Sequence, residues 1–140
     1  MRGGVIRIGI LAVIVVFGSS SCDRLPGNAG DLQAGDCFDQ PTQTQEVHPC
    51  TDAHDAEVIF VGDHPDSDVY PGIDAFDTFV LAQCVPAFET YTGRDWETDT
   101  ELDLGYFYPT ADGWPSGDRE VACYVARLDG ATMSASVKVQ

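Results

Sequence analysis

Positive charge is what this sequence has least of. It contains 7 Lys and Arg residues against 23 Asp and Glu residues, and its formal net charge is −16. Nucleic-acid phosphates and anionic lipid headgroups are both bound through clustered Lys and Arg, so the composition excludes nucleic-acid binding and electrostatic adsorption to a membrane. Hydrophobic residues make up 44% of the chain, too many for a disordered protein, and 140 residues form one domain at most.

The sequence also lacks a membrane-spanning run and the common catalytic motifs. Its longest apolar run covers ten residues, 8–17, which as a helix would reach about 15 Å, half of a bilayer core. It contains no Gly-x-Ser-x-Gly, no His-Glu-x-x-His, no Cys-x-x-Cys and no glycine-rich phosphate loop. Nothing in these patterns favours nucleophilic catalysis or a motif-built zinc site.

The N-terminal segment has the pattern of an export signal. Arg2 and Arg7 precede the apolar run, and the small residues 18–21 stand directly before Cys22. A small residue followed by cysteine resembles a bacterial lipobox, so we expect residues 1–21 to be removed and Cys22 to be acylated. Ser19 and Ser21 also satisfy the small-x-small rule of ordinary signal peptidase. Simple secretion and an uncleaved anchor therefore remain alternatives.

The number of cysteines agrees with lipidation. There are five cysteines, and acylation of Cys22 leaves an even set of four in an exported chain. Residues 23–34 have little periodicity and include Pro and Gly, so 22–34 is predicted to be a flexible tether. The folded domain is then expected over 35–140.

The remaining sequence predicts an α+β domain, a small antiparallel sheet packed by one main helix at about 74–92. The apolar stripe of that helix recurs at helical spacing, and Pro86 within it predicts a kink or break near Gln83. The predicted strands start near Cys37 and cover 57–61, 106–108 and 119–128, with an edge strand over 133–139.

Two disulfides are expected to staple this domain. Cys84 lies on the apolar face of the predicted helix, and Cys123 lies on one face of the central strand. Packing of those two faces would bring this pair together, which leaves Cys37 to pair with Cys50 beside the first loop. Four cysteines permit three connectivities, and this is the one we predict.

Three stretches of the chain together resemble a known family. They are the Gly-Asp-Cys-Phe opening at 35–38, the segment Val-His-Pro-Cys-Thr-Asp-Ala-His-Asp-Ala-Glu-Val at 47–58, and the ending with Tyr-Pro-Thr at 108–110, Trp114 and Gly-Asp-Arg-x-Val-x-Cys at 117–123. They are similar to the septum formation domain family of high-GC Gram-positive bacteria. The resemblance implies an exported or membrane-anchored protein linked to cell division, and it implies no reaction.

His54 and Asp55 are the most suggestive polar pair. A histidine oriented by a carboxylate is typical of general-base and metal sites. We expect instead that this pair satisfies backbone groups of the loop beside the Cys37–Cys50 bridge. The rival hypothesis is a metal-assisted cell-wall hydrolase that uses His54.

Metal sites can also be composed from the side chains. Zinc ligands would come from His48, Cys50, His54 and His64, although Cys50 is predicted to be oxidised. Calcium ligands would come from Asp63, Asp66 and Asp68, or from Asp99, Glu101 and Asp103, but neither stretch has a calcium-loop pattern. We therefore predict no metal and no cofactor, and we interpret the acidic stretches as solvated surface.

The aromatic residues offer one further candidate. Tyr108 and Trp114, with Phe107, would line a groove for sugar or peptide if they were exposed, and would form core if they were not. The sequence as a whole favours a non-catalytic envelope lipoprotein on the outer face of the cell membrane. It would act as an accessory or binding domain in septum formation, with a partner among the envelope or cell-division proteins. A purely structural surface antigen is the third alternative.

Overall fold

The computed structural model describes residues 31–39, 46–65 and 68–140, and in these ranges one α-helix packs on a five-stranded sheet. The helix, α1, spans Ile73–Thr92, and all strand pairs are antiparallel. The strands are β1 (Cys37–Phe38), β2 (Val47–His48), β3 (Ala56–Asp63), β4 (Leu102–Phe107) and β5 (Glu120–Arg127), in the order β2-β1-β3-β5-β4. The predicted α+β class is confirmed.

Helix α1 forms where the apolar spacing predicts it. Phe76, Val80, Cys84 and Phe88 recur every four residues, and all four are buried in the core between the helix and the sheet. The helix ends at Gly93, whose φ of 68° is left-handed and whose N–H donates to the Glu89 carbonyl. Glycine adopts that conformation without a steric penalty, which explains the sharp end.

Of the kink or break predicted near Gln83, the break does not occur, because α1 continues through Pro86. Proline at this position removes one backbone hydrogen bond. Beyond it, Phe88 and Thr92 are still buried, so the last turns of the helix are held by packing. Burial of that face outweighs the local cost of the proline.

Strand β5 lies between the two other long strands of the sheet, since it pairs with β3 on one side and β4 on the other. The predicted edge strand 133–139 is wrong. Met133 forms only an isolated bridge with His54, and the edge position is taken by β4. After Met133 the chain crosses other elements, and the Val139 N–H donates to the Tyr91 carbonyl at the end of α1 at 2.9 Å.

The two predicted disulfides are confirmed. Cys37 and Cys50 are bonded with their Cα atoms 5.3 Å apart, and Cys84 and Cys123 are bonded with theirs 6.1 Å apart. The second bridge joins α1 to β5 through the core, as the packing of helix face on sheet face predicts. The first bridge fastens β1 to the loop after β2.

Leu32, at the end of the predicted tether, is only 3% exposed and packs with Phe38 and Val58. The division into a tether over 22–34 and a folded domain over 35–140 stays a prediction. The predicted signal peptide, Cys22 and the rest of the tether lie outside the described residues. Within the described ranges, no helix has the length and apolar character that a membrane crossing requires.

Candidate functional site

His54 is completely buried and lies in a polar cluster with Glu57 and Cys37. Its backbone exchanges hydrogen bonds with Met133, at 2.9 Å from its N–H and 2.7 Å to its carbonyl. Its ring Nδ1 lies 2.8 Å from the Asp52 carbonyl oxygen. A carbonyl only accepts, so Nδ1 carries the proton and Nε2 of the neutral ring carries the lone pair. Nε2 is buried and has no hydrogen-bond partner among the described residues.

Asp55 follows His54 in the sequence, but it is only half-buried and lies at the protein surface. Its backbone N–H donates to the Phe38 carbonyl at 3.1 Å. Its side chain lines an open depression of about 210 Å³ together with Arg127 and Ala131. The ring hydrogen bond of His54 goes to Asp52, so the two neighbours in sequence serve two different environments. That they act together as a structural pair stays a prediction.

Glu57 is the buried residue of this cluster that sequence reasoning did not single out. It lies on β3, opposite Cys37 of β1, and is completely buried. Its carboxylate accepts hydrogen bonds from the Tyr91 hydroxyl at 2.6 Å, the Ser136 hydroxyl at 2.5 Å and the Val137 N–H at 2.8 Å. One side chain thereby ties the sheet, the end of α1 and the C-terminal segment together. The only sequence signal was a lone acid at the start of an apolar strand.

Tyr91 is affected by this arrangement. Burial raises the pKa of its hydroxyl, and the hydrogen bond to Glu57 raises it further. The phenol therefore stays a neutral donor at any physiological pH. This keeps the hydrogen bond to Glu57 intact.

The same cluster includes the only group of three metal-ligating side chains found among the described residues. A ring nitrogen of His54, a carboxylate oxygen of Glu57 and Sγ of Cys37 all lie within 4.8 Å of one another. In the disulfide form the Cys37 sulfur is bonded to Cys50, and a disulfide sulfur is a poor ligand. The oxidised cluster is therefore a polar core.

The four zinc ligands considered from the sequence, His48, Cys50, His54 and His64, do not come together in the structure. His48 lies near His54, with ring centroids 6.2 Å apart, but its Nε2 lies 3.3 Å from the Asp39 carboxylate. His64 is elsewhere, with its ring against Phe76 and Trp114 at centroid distances of 5.1 and 5.9 Å.

The acidic stretch 99–103 uses its carboxylates within the protein. Asp99 accepts from the N–H groups of Glu101 and Leu102 and lies 3.0 Å from Arg94. Burial acts to raise the pKa of Asp99, but these hydrogen bonds and the Arg94 charge outweigh it and hold the pKa below its usual value. Of the other acidic stretch, Asp66 lies outside the described residues.

Trp114 and Tyr108 separate in the structure. Trp114 starts a short 3₁₀ turn, is 1% exposed, and carries the Arg119 guanidinium 3.7 Å above its ring. This burial favours the core alternative for Trp114 over the alternative of a binding residue. Tyr108 is 44% exposed and packs one side of its ring toward Phe76.

An apolar groove of about 310 Å³ lies between α1 and β4, and we call it the α1–β4 groove. Its lining consists of Asp77, Val80, Leu81, Trp96, Leu104 and Tyr106. Leu81 is 56% exposed and contributes apolar surface to the groove. The Tyr106 hydroxyl donates to the Asp77 carboxylate across one end of the groove. Burial, and then this bond, raises the pKa of Tyr106 to about 12.

The sheet edge beside this groove is partly closed to further strands. β4 is one of the two edge strands, yet the Leu102 N–H donates to the Asp99 carboxylate and the Leu104 N–H to the Asp103 carboxylate, at 2.8 and 2.9 Å. Those amides are not free to pair with an added strand. A ligand at this place would contact the side chains of the groove.

A protein-family model described as septum formation matches residues 28–123. No curated protein and no solved structure matches the chain. The family is not a known enzyme family, and its description indicates a role related to septum formation and an envelope or extracellular location. Because the match covers more than half of the 140 residues, the chain belongs to the septum formation family.

Proposed function

We propose that this protein is a lipid-anchored, non-catalytic accessory module of septum formation, displayed on the outer face of the cell membrane, which binds a protein partner in the α1–β4 groove. The observation that carries the proposal is the groove itself, an apolar surface with an exposed leucine beside the edge strand β4. Solvent-exposed apolar clefts of this kind are typical of binding sites.

The non-catalytic part of the proposal is supported by the position of His54. A general base must reach the proton that it removes. The His54 ring is completely buried, and its Nδ1 is held by the Asp52 carbonyl. A wall hydrolase that uses this imidazole would need the loop to open first, so the metal-assisted hydrolase is the less favoured hypothesis.

The chemistry of the partner follows from the groove and the charge. Leu81 and Trp96 supply apolar contacts, and Asp77 lies at the same surface. The chain carries a net charge of −16, which attracts basic partners and repels acidic ones. The partner segment is therefore one that carries both apolar and basic side chains. It docks by side-chain contacts, because the β4 amides of Leu102 and Leu104 are already bonded.

The groove is tested by a matched pair of leucine substitutions in dividing cells that lack the endogenous protein. Leu81 and Leu128 are equally exposed, at 56% and 55%, and only Leu81 lines the groove. Exposed positions tolerate substitution within about 0.5 kcal/mol, so both Leu81→Asp and Leu128→Asp should fold and accumulate normally. We expect Leu128→Asp to restore septum formation and Leu81→Asp to fail. Full restoration by Leu81→Asp would refute the groove as the binding site.

The anchor is tested separately. Intact mass of the protein from the membrane fraction should correspond to a chain that starts at Cys22 and carries acyl groups, and Cys22→Ala should release the protein from the membrane. A soluble product that starts at an unmodified Cys22 would refute lipidation and leave export standing.

A further inference from the structure

We propose that reduction of the Cys37–Cys50 bridge opens a zinc site, in which Cys37, Cys50, His54 and Glu57 are the ligands. The oxidised protein would hold these groups as a closed polar core. The reduced protein would hold Zn²⁺ in their place. The proposal concerns a second state of the domain and does not depend on the α1–β4 groove.

His54 has the hydrogen-bonding pattern of a zinc ligand. Metal-bound histidines usually donate their other ring N–H to a backbone carbonyl or carboxylate, which fixes the tautomer and aims the free nitrogen. His54 Nδ1 makes such a bond to the Asp52 carbonyl at 2.8 Å. The remaining nitrogen, Nε2, is buried and has no partner among the described residues, which is costly for a polar atom unless something else binds it.

Glu57 is positioned in the same manner. Its carboxylate is oriented by Tyr91, Ser136 and Val137 through three hydrogen bonds. A carboxylate has about four acceptor positions, so one remains for a metal. Hydrogen bonds of this kind to ligating carboxylates are a regular part of metal sites.

The distances suit zinc after a small closure. A tetrahedral ion with bonds of about 2.0–2.3 Å separates its ligand atoms by about 3.5 Å. The ligand atoms of Cys37, His54 and Glu57 already lie within 4.8 Å of one another. Cys50 is bonded to Cys37, so its sulfur starts beside the same point and becomes available as the fourth ligand when the bond opens.

The chemistry of the switch balances with a dithiol or phosphine reductant. Two electrons and two protons convert the disulfide to two thiols, and the reductant is oxidised in turn. Zinc then displaces both thiol protons, because the thiolate is the ligand. Cys50 is only half-buried, whereas Cys84 and Cys123 are completely buried, so mild reduction should open the first bridge before the second.

The test measures zinc and cobalt binding to the mature chain with the Cys37–Cys50 bridge closed or reduced. We expect no binding by the oxidised protein and one ion per chain after reduction, with a cobalt–thiolate charge-transfer band. His54→Ala should weaken binding at least 100-fold, whereas His64→Ala, a histidine outside the cluster, should leave it within twofold. All variants contain the same thiols, so adventitious binding to cysteine is equal in each. Equal binding by His54→Ala and His64→Ala would overturn the proposal.

A second measurement, on the reduced wild type, tests the zinc site if His54→Ala does not fold. In the reduced wild type, bound zinc should protect Cys37 and Cys50 from alkylation by at least tenfold, as read by peptide mass spectrometry. It should also raise the melting temperature of the reduced protein. Absence of both effects in a reduced protein with native circular dichroism would overturn the site.

Discussion

Replacement of Glu57 by alanine should destabilise the domain more than the loss of one surface acid would. The side chain is completely buried and accepts three hydrogen bonds, from Tyr91, Ser136 and Val137. Loss of a charged acceptor costs about 1.5–3 kcal/mol per hydrogen bond, but the Ser136 side can turn to water because that residue is exposed. We therefore expect about 3 kcal/mol in the free energy of unfolding. At about 4 °C per kcal/mol this lowers the melting temperature by about 12 °C.

The assay is thermal unfolding of the oxidised protein at neutral pH, followed by circular dichroism or calorimetry. Glu89→Ala is the matched control, since Glu89 is an exposed glutamate on the last part of α1, and it should change stability by less than about 0.5 kcal/mol. Tyr91→Phe removes one donor and keeps the ring, so it should fall between the two. If Glu57→Ala melts with Glu89→Ala, the carboxylate does not hold the C-terminal segment, and the reasoning fails.

Four further outcomes are expected. His54→Ala should lower the free energy of unfolding by about 1 kcal/mol, because the hydrogen bond to Asp52 is lost, and should lower the melting temperature by several degrees. Added zinc should leave the melting temperature of the oxidised wild type unchanged. A normal melting temperature for the variant, or a shift caused by zinc, would count against a structural role of His54. Cys84→Ala should lower the free energy of unfolding by more than the lost side-chain packing alone, because it opens the loop that the bridge closes and leaves Cys123 unpaired. The bridge spans a sequence separation of 39, and loop entropy assigns it about 4 kcal/mol. A loss below about 1 kcal/mol in calorimetry would contradict this. Burial, and then the charges of nearby acids, raises the pKa of Glu120, so its charged form opposes folding above the ordinary pKa of 4.5. Glu120→Gln should therefore raise the melting temperature at about pH 7 and hardly change it at about pH 3. A larger increase at about pH 3 than at about pH 7 would contradict an upward shift of this pKa. The pKa of Tyr106 is raised from 10.0 to about 12, so its contribution is complete below pH 10 and is lost as the pH rises toward 12; Tyr106→Phe should therefore lose less stability than wild type between those values.

The helix and the disulfides could be predicted because their signals are local or lie on one face. Apolar residues four apart place Phe76 and Cys84 on the same side of α1, and an alternating strand places Cys123 on the sheet face. Once that helix packs on that sheet, the pairing follows. The positions of the outer strands could be predicted only approximately, because an alternating pattern predicts a strand but not the strand with which it pairs.

The C-terminal segment is the clearest case of this limit. Met133 to Val139 alternates as an edge strand would, yet the Val137 N–H donates to the Glu57 carboxylate and the Val139 N–H to the Tyr91 carbonyl. A buried acid on a distant strand decided that outcome. Likewise Pro86 predicts a break from local propensity alone, whereas the buried Phe88 beyond it keeps the helix continuous.

The α1–β4 groove was missed for a related reason. The α1–β4 groove joins Leu81 of the helix to Leu104 of a strand more than twenty residues later, and neither is distinctive in sequence. Trp114, by contrast, is distinctive in sequence and is buried. Exposure is set by the whole fold, so residue type alone does not tell which aromatic side chain stays at the surface.

Site-specific photo-crosslinking in dividing cells tests whether a protein partner binds in the α1–β4 groove. A photo-reactive amino acid would replace Leu81 in the groove or Leu128 outside it, two positions of equal exposure. We expect one discrete adduct of the membrane-bound protein from position 81, absent from position 128 and lost when Asp77→Arg reverses the charge at the groove. Equal labelling from both positions, or an adduct from 81 that persists with Asp77→Arg, would contradict it.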